Sequence, residues 1–471
     1  MNASERKEAV AALESIVGAR HALTDPALFA GALIEPRGLF HGKALAFVRP
    51  GSAEEAARVA AYCNAARIGI VPQGGNTGLL GGQTPDETGE QIILSTQRLK
   101  AVREVDRDAE VMICEAGVTL TEAQAAAAAH DRLFPLSLAA EGTATVGGAV
   151  STNAGGVTVI AYGNARELVT GVEAVLADGR IVHALSKLRK DNTGYDVKDL
   201  FVGSEGTLGI VTAASLRLFA NPRARATAFV GLASPERALE LLALARERLG
   251  AQVTSFELIS RSAHDFTVKH GLARAPLTSQ HSWYVLIEAA SQIPHGLDQA
   301  FGESLEAGLA RGIVEDAAVA ASLEQRRDLW SLRESIPEAQ IREGGSIKHD
   351  VSVAVGDAPR LIDEATRAVE GFAPGVRVVA FGHLGDGNIH FNVSQPIGAD
   401  KEMFLSRWDA MNGVVHGVVA RLGGSFAAEH GIGRLKRELL ARTKDAASLA
   451  IMRAVKAALD PTGVMNPGKV L

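Results

Sequence analysis

The chain has 471 residues, 48 of them basic and 54 acidic, giving a net charge of −6. That length exceeds one ordinary hydrophobic core and predicts two or three domains, and a hydrophobic content of 47% leaves little room for long disorder. The acidic balance argues against nucleic acid as a partner, because phosphate binding needs a cationic surface.

Along the chain, Glu5, Arg6, Lys7 and Glu8 stand where an export signal would carry an apolar run. No apolar stretch is long enough to span a bilayer. The expectation is a cytoplasmic protein, at most peripheral to a membrane. Residues 45–48 predict a strand. A helix follows from the cap Ser52, with Glu55 completing a capping box and Gly69 as its stop. Strands are expected at 92–94 and 111–115. Thr119 and Glu122 form a second capping box before an alanine-rich helix ending near 129. Cys63 falls in the first helix and Cys114 in a strand, at no metal or disulfide spacing, so both read as small buried thiols in a reducing compartment. Strands 172–177 and 180–184 flank Asp178-Gly179, a hairpin signal.

Asn221-Pro222 reads as a boundary. Beyond it come a strand at 227–232 and a helix opened by Ser234 and Pro235 and closed by Gly250. Strands at 253–259 and 283–288, helices at 297–311 and 358–369, and strands at 351–355, 376–381 and 389–393 follow. This order predicts an α+β domain whose sheet is covered on one face by helices. From Lys401 onward the chain reads as mostly helical.

Forty-nine glycines are many for this length, and they cluster at 74–82, 142–156 and 203–209. Glycine lets backbone N–H groups turn toward an anion and lets the chain approach a phosphate. Any one cluster could be a tight turn. Three in one domain, each beside an apolar strand, suit a long ligand with a pyrophosphate. No G-x-G-x-x-G with an acidic residue about 20 positions later is present, which argues against a nicotinamide cofactor in a dinucleotide fold.

Residues 383–390 read His-Leu-Gly-Asp-Gly-Asn-Ile-His. With Gly385 to Asn388 as the loop, His383 faces His390, and opposed residues on a hairpin have Cβ atoms roughly 5 Å apart, close enough to share a metal ion. The third ligand should be a carboxylate. Glu429, beside His430 in another glycine-rich stretch, is a candidate, although both also suit a helix terminus. Arg333 can hold a carboxylate bidentately and Lys348 can serve as a point charge. Taken alone, each reads as a solvated surface residue.

Residues 72–82, 142–156 and above all 188–210 resemble the FAD-binding domain of the vanillyl-alcohol oxidase superfamily. Within it they are similar to the D-lactate and D-2-hydroxyglutarate dehydrogenases. The likeness runs from about Ala44 to the terminal Asn466-Pro-Gly-Lys-Val-Leu471. It implies FAD, held non-covalently because the first glycine-rich segment has no His or Cys. The implied contacts are Pro72, Gly74, Gly75, Asn76, Thr77, Gly78, Gly81 and Gly82, then Gly142, Thr143, Gly147, Gly148, Thr152, Asn153, Gly155 and Gly156, then Glu205, Gly209, Ile210 and Asn466. It also implies His383, His390 and Glu429 as ligands of a divalent metal, zinc ahead of iron(II), manganese or cobalt. His430 is implied as catalytic base, and Arg333, Lys348 and Asn388 as substrate contacts. One departure is Pro337, where relatives often carry a hydroxyl residue, which puts the identity of the acid in question.

The expected fold is α+β: a vanillyl-alcohol-oxidase-type FAD domain over 1–222, a substrate domain with an antiparallel sheet over 223–400, and a mostly helical segment over 401–471 that rejoins the first. The expected activity is oxidation of a D-2-hydroxy acid to the 2-oxo acid. D-2-Hydroxyglutarate ranks ahead of D-malate, D-lactate and glycolate. Electrons would leave to an electron-transfer flavoprotein, a quinone or a cytochrome, since two isolated cysteines cannot hold an iron–sulfur cluster. A homodimer is expected. Two readings from other classes stand beside this one: a zinc hydrolase, which would carry no flavin, and a non-catalytic FAD-binding subunit.

Overall fold

A computed structural model describes residues 1–471, which form two compact units. The first comprises Met1–Gly156, Gly163–Asn221 and Glu429–Leu471; the second comprises Val157–Tyr162 and Pro222–Ala428.

In the first unit the strands Ala46–Val48, Gln91–Ser95 and Gly69–Gln73 pair in parallel, and Ala22–Leu23 adds an antiparallel edge. The helix Ala53–Ala66 covers this sheet with Ala56, Val59, Ala60 and Cys63. Its N-terminus is only half a capping box. Ser52 accepts from the Glu55 amide, but the Glu55 carboxylate takes the Gly51 amide and lies 3.3 Å from Arg98. The helix also stops earlier than expected. Arg67 takes the left-handed cap at φ 58°, because Gly69 already pairs with Gln91 in the sheet. At Thr119 the capping box is complete.

A five-stranded antiparallel sheet runs in the order Val102–Asp106, Val111–Glu115, Ile210–Arg217, Val169–Val175, Ile181–Ala184. Cys63 and Cys114 are buried, and burial pushes both thiols up to about 12. The C-terminal residues belong to this unit: Met465 bridges to Ile70, and Lys456 donates to the Thr207 and Met465 carbonyls.

The second unit is built on one antiparallel eight-stranded sheet. Its order is Asp316–Val319, Ala224–Leu232, Trp283–Ser291, Val253–Ser260, Arg377–His383, Asn388–Ser394, Ser346–Ile347, with Asp350–Ser352 also pairing to Asn388–Ser394. Helices cover both faces of this sheet, where the sequence predicts one. On one face the helices Pro235–Leu249 and Leu297–Ala310 pack over the strands Ala224–Leu232 and Trp283–Ser291, and Ala358–Phe372 and Trp408–Arg421 extend the same core over Asn388–Ser394 and Ser346–Ile347. The helices Arg261–Lys269, Leu323–Glu334 and Ile336–Arg342 pack on Phe229, Ile259, Tyr284, Leu286 and Phe381. The reason is visible in Trp283–Ser291, whose residues are buried on both sides in the manner of a central strand.

The strand expected over 351–355 stops at Ser352, which bridges to Ser425, and a 3-10 turn follows at Val355–Asp357. The second unit also runs past residue 400 to Ala428. Phe404, Met411, Val415, Val418 and Val419 bury themselves in its core, so the helices there belong to it.

Candidate functional site

In the first unit the three glycine-rich segments converge. An added Cβ on Gly75 would lie 1.8 Å from the Thr143 carbonyl oxygen, so only glycine lets residues 74–78 pass this close to 143–145. Gly74 meets Thr145 in the same way, Gly82 lies against Glu205, and Gly206 against Pro72. The backbone amides of residues 75–79 donate to no other group of the chain. Five consecutive free N–H groups around Asn76, itself at φ 54°, are a run of donors suited to a phosphate. Thr77 and Gly78 lie in this run, and Gly81 follows at φ 69°.

Several other expected contacts take different roles. Asn76 spends both amide donors on the Gly31 and Ile34 carbonyls, which anchors the loop. The helix Val146–Thr152 begins inside the second glycine cluster. Its first amides are engaged within the unit: Val146 and Gly147 donate to the Val118 and Ala116 carbonyls, and Gly148 to Thr145. Gly147 and Gly148 therefore do not offer the amides expected of them. Thr152 donates back to Gly148, and Asn153 accepts from the Arg166 amide. Gly156 passes close to the Ser137 carbonyl, while Gly142 and Thr143 are exposed and Gly155 is half-buried. Gly209 packs against Phe201, and Ile210 is a core residue.

Glu205 and Asn466 are braces. Glu205 accepts the Ile432 and Gly433 amides at 2.7 Å each. Burial pushes its carboxyl above the usual range even though these two amides pull it down. Asn466 donates to the Gly82 and Glu205 carbonyls. The loop held by Glu205 carries Glu429 and His430, with His430 Nε2 3.4 Å from Glu429 Oε1. Gly431 sits there at φ 82°, and a side chain at it would strike Glu205.

In the second unit the hairpin register differs from expectation. His383 pairs with Asn388, Gly382 with Ile389 and Phe381 with His390, so the loop is residues 384–387. His383 and His390 are diagonal rather than opposed. The difference is two positions, and side chains alternate with period two, so both imidazoles still share one face. Their ring centroids are 5.6 Å apart. Asn388, expected at the substrate, gives both amide donors to Asp350 and the Val351 carbonyl. It fixes Asp350, whose Oδ1 lies 4.0 Å from His390 Nδ1. Lys348 is half-buried between the short strands Ser346–Ile347 and Asp350–Ser352.

The same sheet face carries two buried glutamates that the motif reading missed. Glu257 lies directly across from His383. Its Oε1 accepts from His383 Nδ1 at 2.6 Å and its Oε2 from Arg333 Nε at 2.8 Å. Burial opposes its ionisation, but His383 and Arg333 together outweigh it and hold the carboxyl at about 2. Glu288 accepts from Arg225, Thr227, Trp330 and, twice, Arg326. Arg326, Trp330 and Arg333 recur at helical spacing on Leu323–Glu334, so one helix face meets both carboxylates. Arg333 is buried, stacks 4.8 Å over Phe381, and gives only Nε to Glu257. A sequence signal was present: each glutamate is the lone charge in an otherwise uncharged strand.

This chemistry can be set beside known proteins. Residues 44–185 match the family described as FAD binding domain, and residues 221–470 match FAD linked oxidases, C-terminal domain. The mitochondrial D-2-hydroxyglutarate dehydrogenase of Danio rerio is 37% identical, over 95% of this chain and 82% of its own length. That of Bos taurus is 36% identical over 98% and 83%, and the D-2-hydroxyglutarate dehydrogenase of Xanthomonas citri pv. viticola 35% over 90% and 89%. Among solved structures, p-cresol methylhydroxylase has a TM-score of 0.77 at 16% identity, covering 100% of this chain and 97% of its own. The 4-ethylphenol oxidase of Gulosibacter chungangensis has 0.75 at 17%, covering 100% and 98%. These two establish the vanillyl-alcohol-oxidase-type fold. A flavin domain removes the hydrolase reading, and relatives that are enzymes along nearly the whole chain leave no ground for a non-catalytic subunit. The chain belongs to the FAD-linked oxidoreductase family that contains the D-2-hydroxyglutarate dehydrogenases.

Proposed function

We propose that the protein oxidises D-2-hydroxyglutarate to the 2-oxo acid, with His430 as general base, Arg333 as a carboxylate handle, and a divalent metal, zinc first, held by His383, His390 and Glu429. The observation that carries this reading is the shared sheet face. It sets two imidazoles 5.6 Å apart beside an arginine whose terminal nitrogens are not used by its ion pair. Two imidazoles and a carboxylate suit such a metal and leave positions open for substrate oxygen. Chain reach supports the third ligand. Ser425 pairs with Ser352, which pairs with Asn388, and Glu429 follows four residues later. Four residues span at most about 14 Å.

FAD, bound without a covalent link, would supply the acceptor for the C2 hydride, and a metal held by His383, His390 and Glu429 would supply a Lewis acid that lowers the substrate hydroxyl's pKa. The residues do the rest. Arg333 pairs its two terminal amino groups with a substrate carboxylate in the fork geometry. His430 takes the hydroxyl proton. Glu205, by clamping the Ile432 and Gly433 amides, fixes the loop from which His430 acts. With FAD bound, the C2–H pair would go to the flavin and the O–H proton to His430, leaving the ketone. An external carrier would then take the electrons.

The test uses purified, FAD-loaded protein with D- and L-2-hydroxy acids and a dye acceptor. His383→Ala and His390→Ala should lose metal by elemental analysis while keeping FAD. His430→Ala should keep both and reduce its flavin roughly 10²–10⁴-fold more slowly. Full turnover by metal-stripped enzyme, or reduction at the wild-type rate by His430→Ala, would refute the corresponding assignment.

A further inference from the structure

We propose that Glu257 is a positioning residue that couples the metal site to the substrate handle: one carboxylate orients the His383 imidazole with Oε1 and the Arg333 guanidinium with Oε2. The proposal rests on reading His383 as a metal ligand.

The geometry of the first link fixes a tautomer. A carboxylate only accepts, so the 2.6 Å contact puts the His383 proton on Nδ1 and leaves the Nε2 lone pair for a metal. Outer carboxylates of this kind hold ligating imidazoles in register and raise their basicity. The sheet builds the contact in, because Glu257 and His383 are directly paired across adjacent strands.

The second link is best judged against its neighbour. Arg326 lies two helical turns before Arg333 on the same helix and gives both Nε and Nη2 to Glu288, at 2.6 and 2.9 Å. That is the closed fork of a structural ion pair. Arg333 gives Glu257 only Nε, because the other carboxylate oxygen is already taken by His383. Its Nη1 and Nη2 make no hydrogen bond to Glu257, and the guanidinium carbon lies 4.8 Å over the Phe381 ring. A purely structural pair accounts for burial of the charges. It does not account for a carboxylate divided between a metal-type imidazole and a half-used arginine.

Glu257→Gln tests this. Glutamine keeps the shape but turns one acceptor into a donor. It must then either force the proton of His383 onto Nε2 or face the Arg333 Nε–H with a like donor. Zinc affinity is read by chelator competition on FAD-loaded, metal-stripped protein, and KM and kcat for D-2-hydroxyglutarate by dye reduction. Zinc affinity should fall about 10- to 100-fold, the usual loss for an outer partner of a ligating histidine, and KM should rise. FAD content should be unchanged. Glu288→Gln, which removes an equally buried carboxylate, should lower thermal stability without changing zinc affinity. If Glu257→Gln does not fold, Glu257→Asp takes its place: its shorter carboxylate cannot reach both partners, so zinc affinity or KM should fail. Zinc affinity and KM that both stay at wild-type values in the folded variant overturn the coupling alone. A wild-type protein that binds no divalent metal overturns the metal reading and the coupling with it.

Discussion

Replacing Arg326 and Arg333 by methionine separates a structural arginine from a functional one on the same helix. Arg326 makes two charge-assisted bonds to Glu288, at 2.6 and 2.9 Å. Removing one partner of a buried ion pair costs about 3–5 kcal/mol, because it strands the other charge. Arg326 is only half-buried, and Arg225, Thr227 and Trp330 still donate to Glu288 in the variant, so the low end of about 3 kcal/mol applies. For a domain of about 200 residues this lowers Tm by about 6–12 °C. Well below that temperature, kcat/KM should stay within about twofold of wild type, as expected when no transition-state contact is lost. Arg333→Met also strands a carboxylate, with a similar loss of stability. It should in addition lower kcat/KM by about 30-fold or more, the consequence of losing about 2 kcal/mol or more of substrate pairing. The assay is thermal unfolding of the FAD-loaded proteins alongside dye reduction at 25 °C. Equal losses of kcat/KM in both variants, or none in Arg333→Met, would refute the division between them.

Gly75→Ala should abolish retention of FAD, read as the ratio of flavin to protein absorbance, because its Cβ would sit 1.8 Å from the Thr143 carbonyl. Glu257 and Glu288 are held below the ordinary carboxylate range, Glu257 at about 2, so in the unfolded chain they bind protons at higher pH than in the folded one. Their stabilisation is therefore fully present above about pH 4.5, a usual carboxylate value, and is lost as pH falls toward 2. In metal-stripped protein the urea midpoint should drop between pH 5 and 3, and Glu288→Gln should flatten that slope; a midpoint independent of pH would contradict it. Lys348→Ala should lower kcat/KM for D-2-hydroxyglutarate and D-malate by roughly 2–5 kcal/mol of transition-state binding and for D-lactate far less; equal losses would mean that Lys348 meets the carboxylate common to all three.

The local signals in the sequence were reliable where one short-range interaction decides the outcome. Ser234 and Pro235 open a helix that Gly250 ends, and Thr119 with Glu122 makes a full capping box. Asn221-Pro222 is the boundary between units. The failures come from competition by distant residues. Arg98 lies beside the carboxylate that would have completed the box at Ser52, and pairing with Gln91 draws Gly69 into a strand. In the second glycine cluster a helix start consumes the amides that composition alone offers to a phosphate, while those of residues 75–79 remain open. Both clusters are rich in glycine, and the difference lies in which amides find a carbonyl: those of Ala116 and Val118 accept from Gly147 and Val146, while no carbonyl accepts from residues 75–79.

The histidine pair shows why the site was more legible than the register that builds it. Gly385 to Asn388 read as the turn from the sequence, one residue later than residues 384–387, which moves the pairing sum by two and makes the opposed pair a diagonal one. An error of one in that sum would have sent His383 and His390 to opposite faces and destroyed the reading; an error of two preserves the face. The spacing of the two histidines is enough to mark them as a pair. Glu257, the partner of His383, sits 126 positions away and becomes a neighbour only through the strand order of the sheet. Helical spacing already aligns Arg326, Trp330 and Arg333, yet their separate roles follow from what each meets: a carboxylate that is free to take the whole fork, or one already shared with an imidazole. Specificity of role in this unit is thus a property of the sheet's long-range pairing, laid over helix and strand patterns that are local.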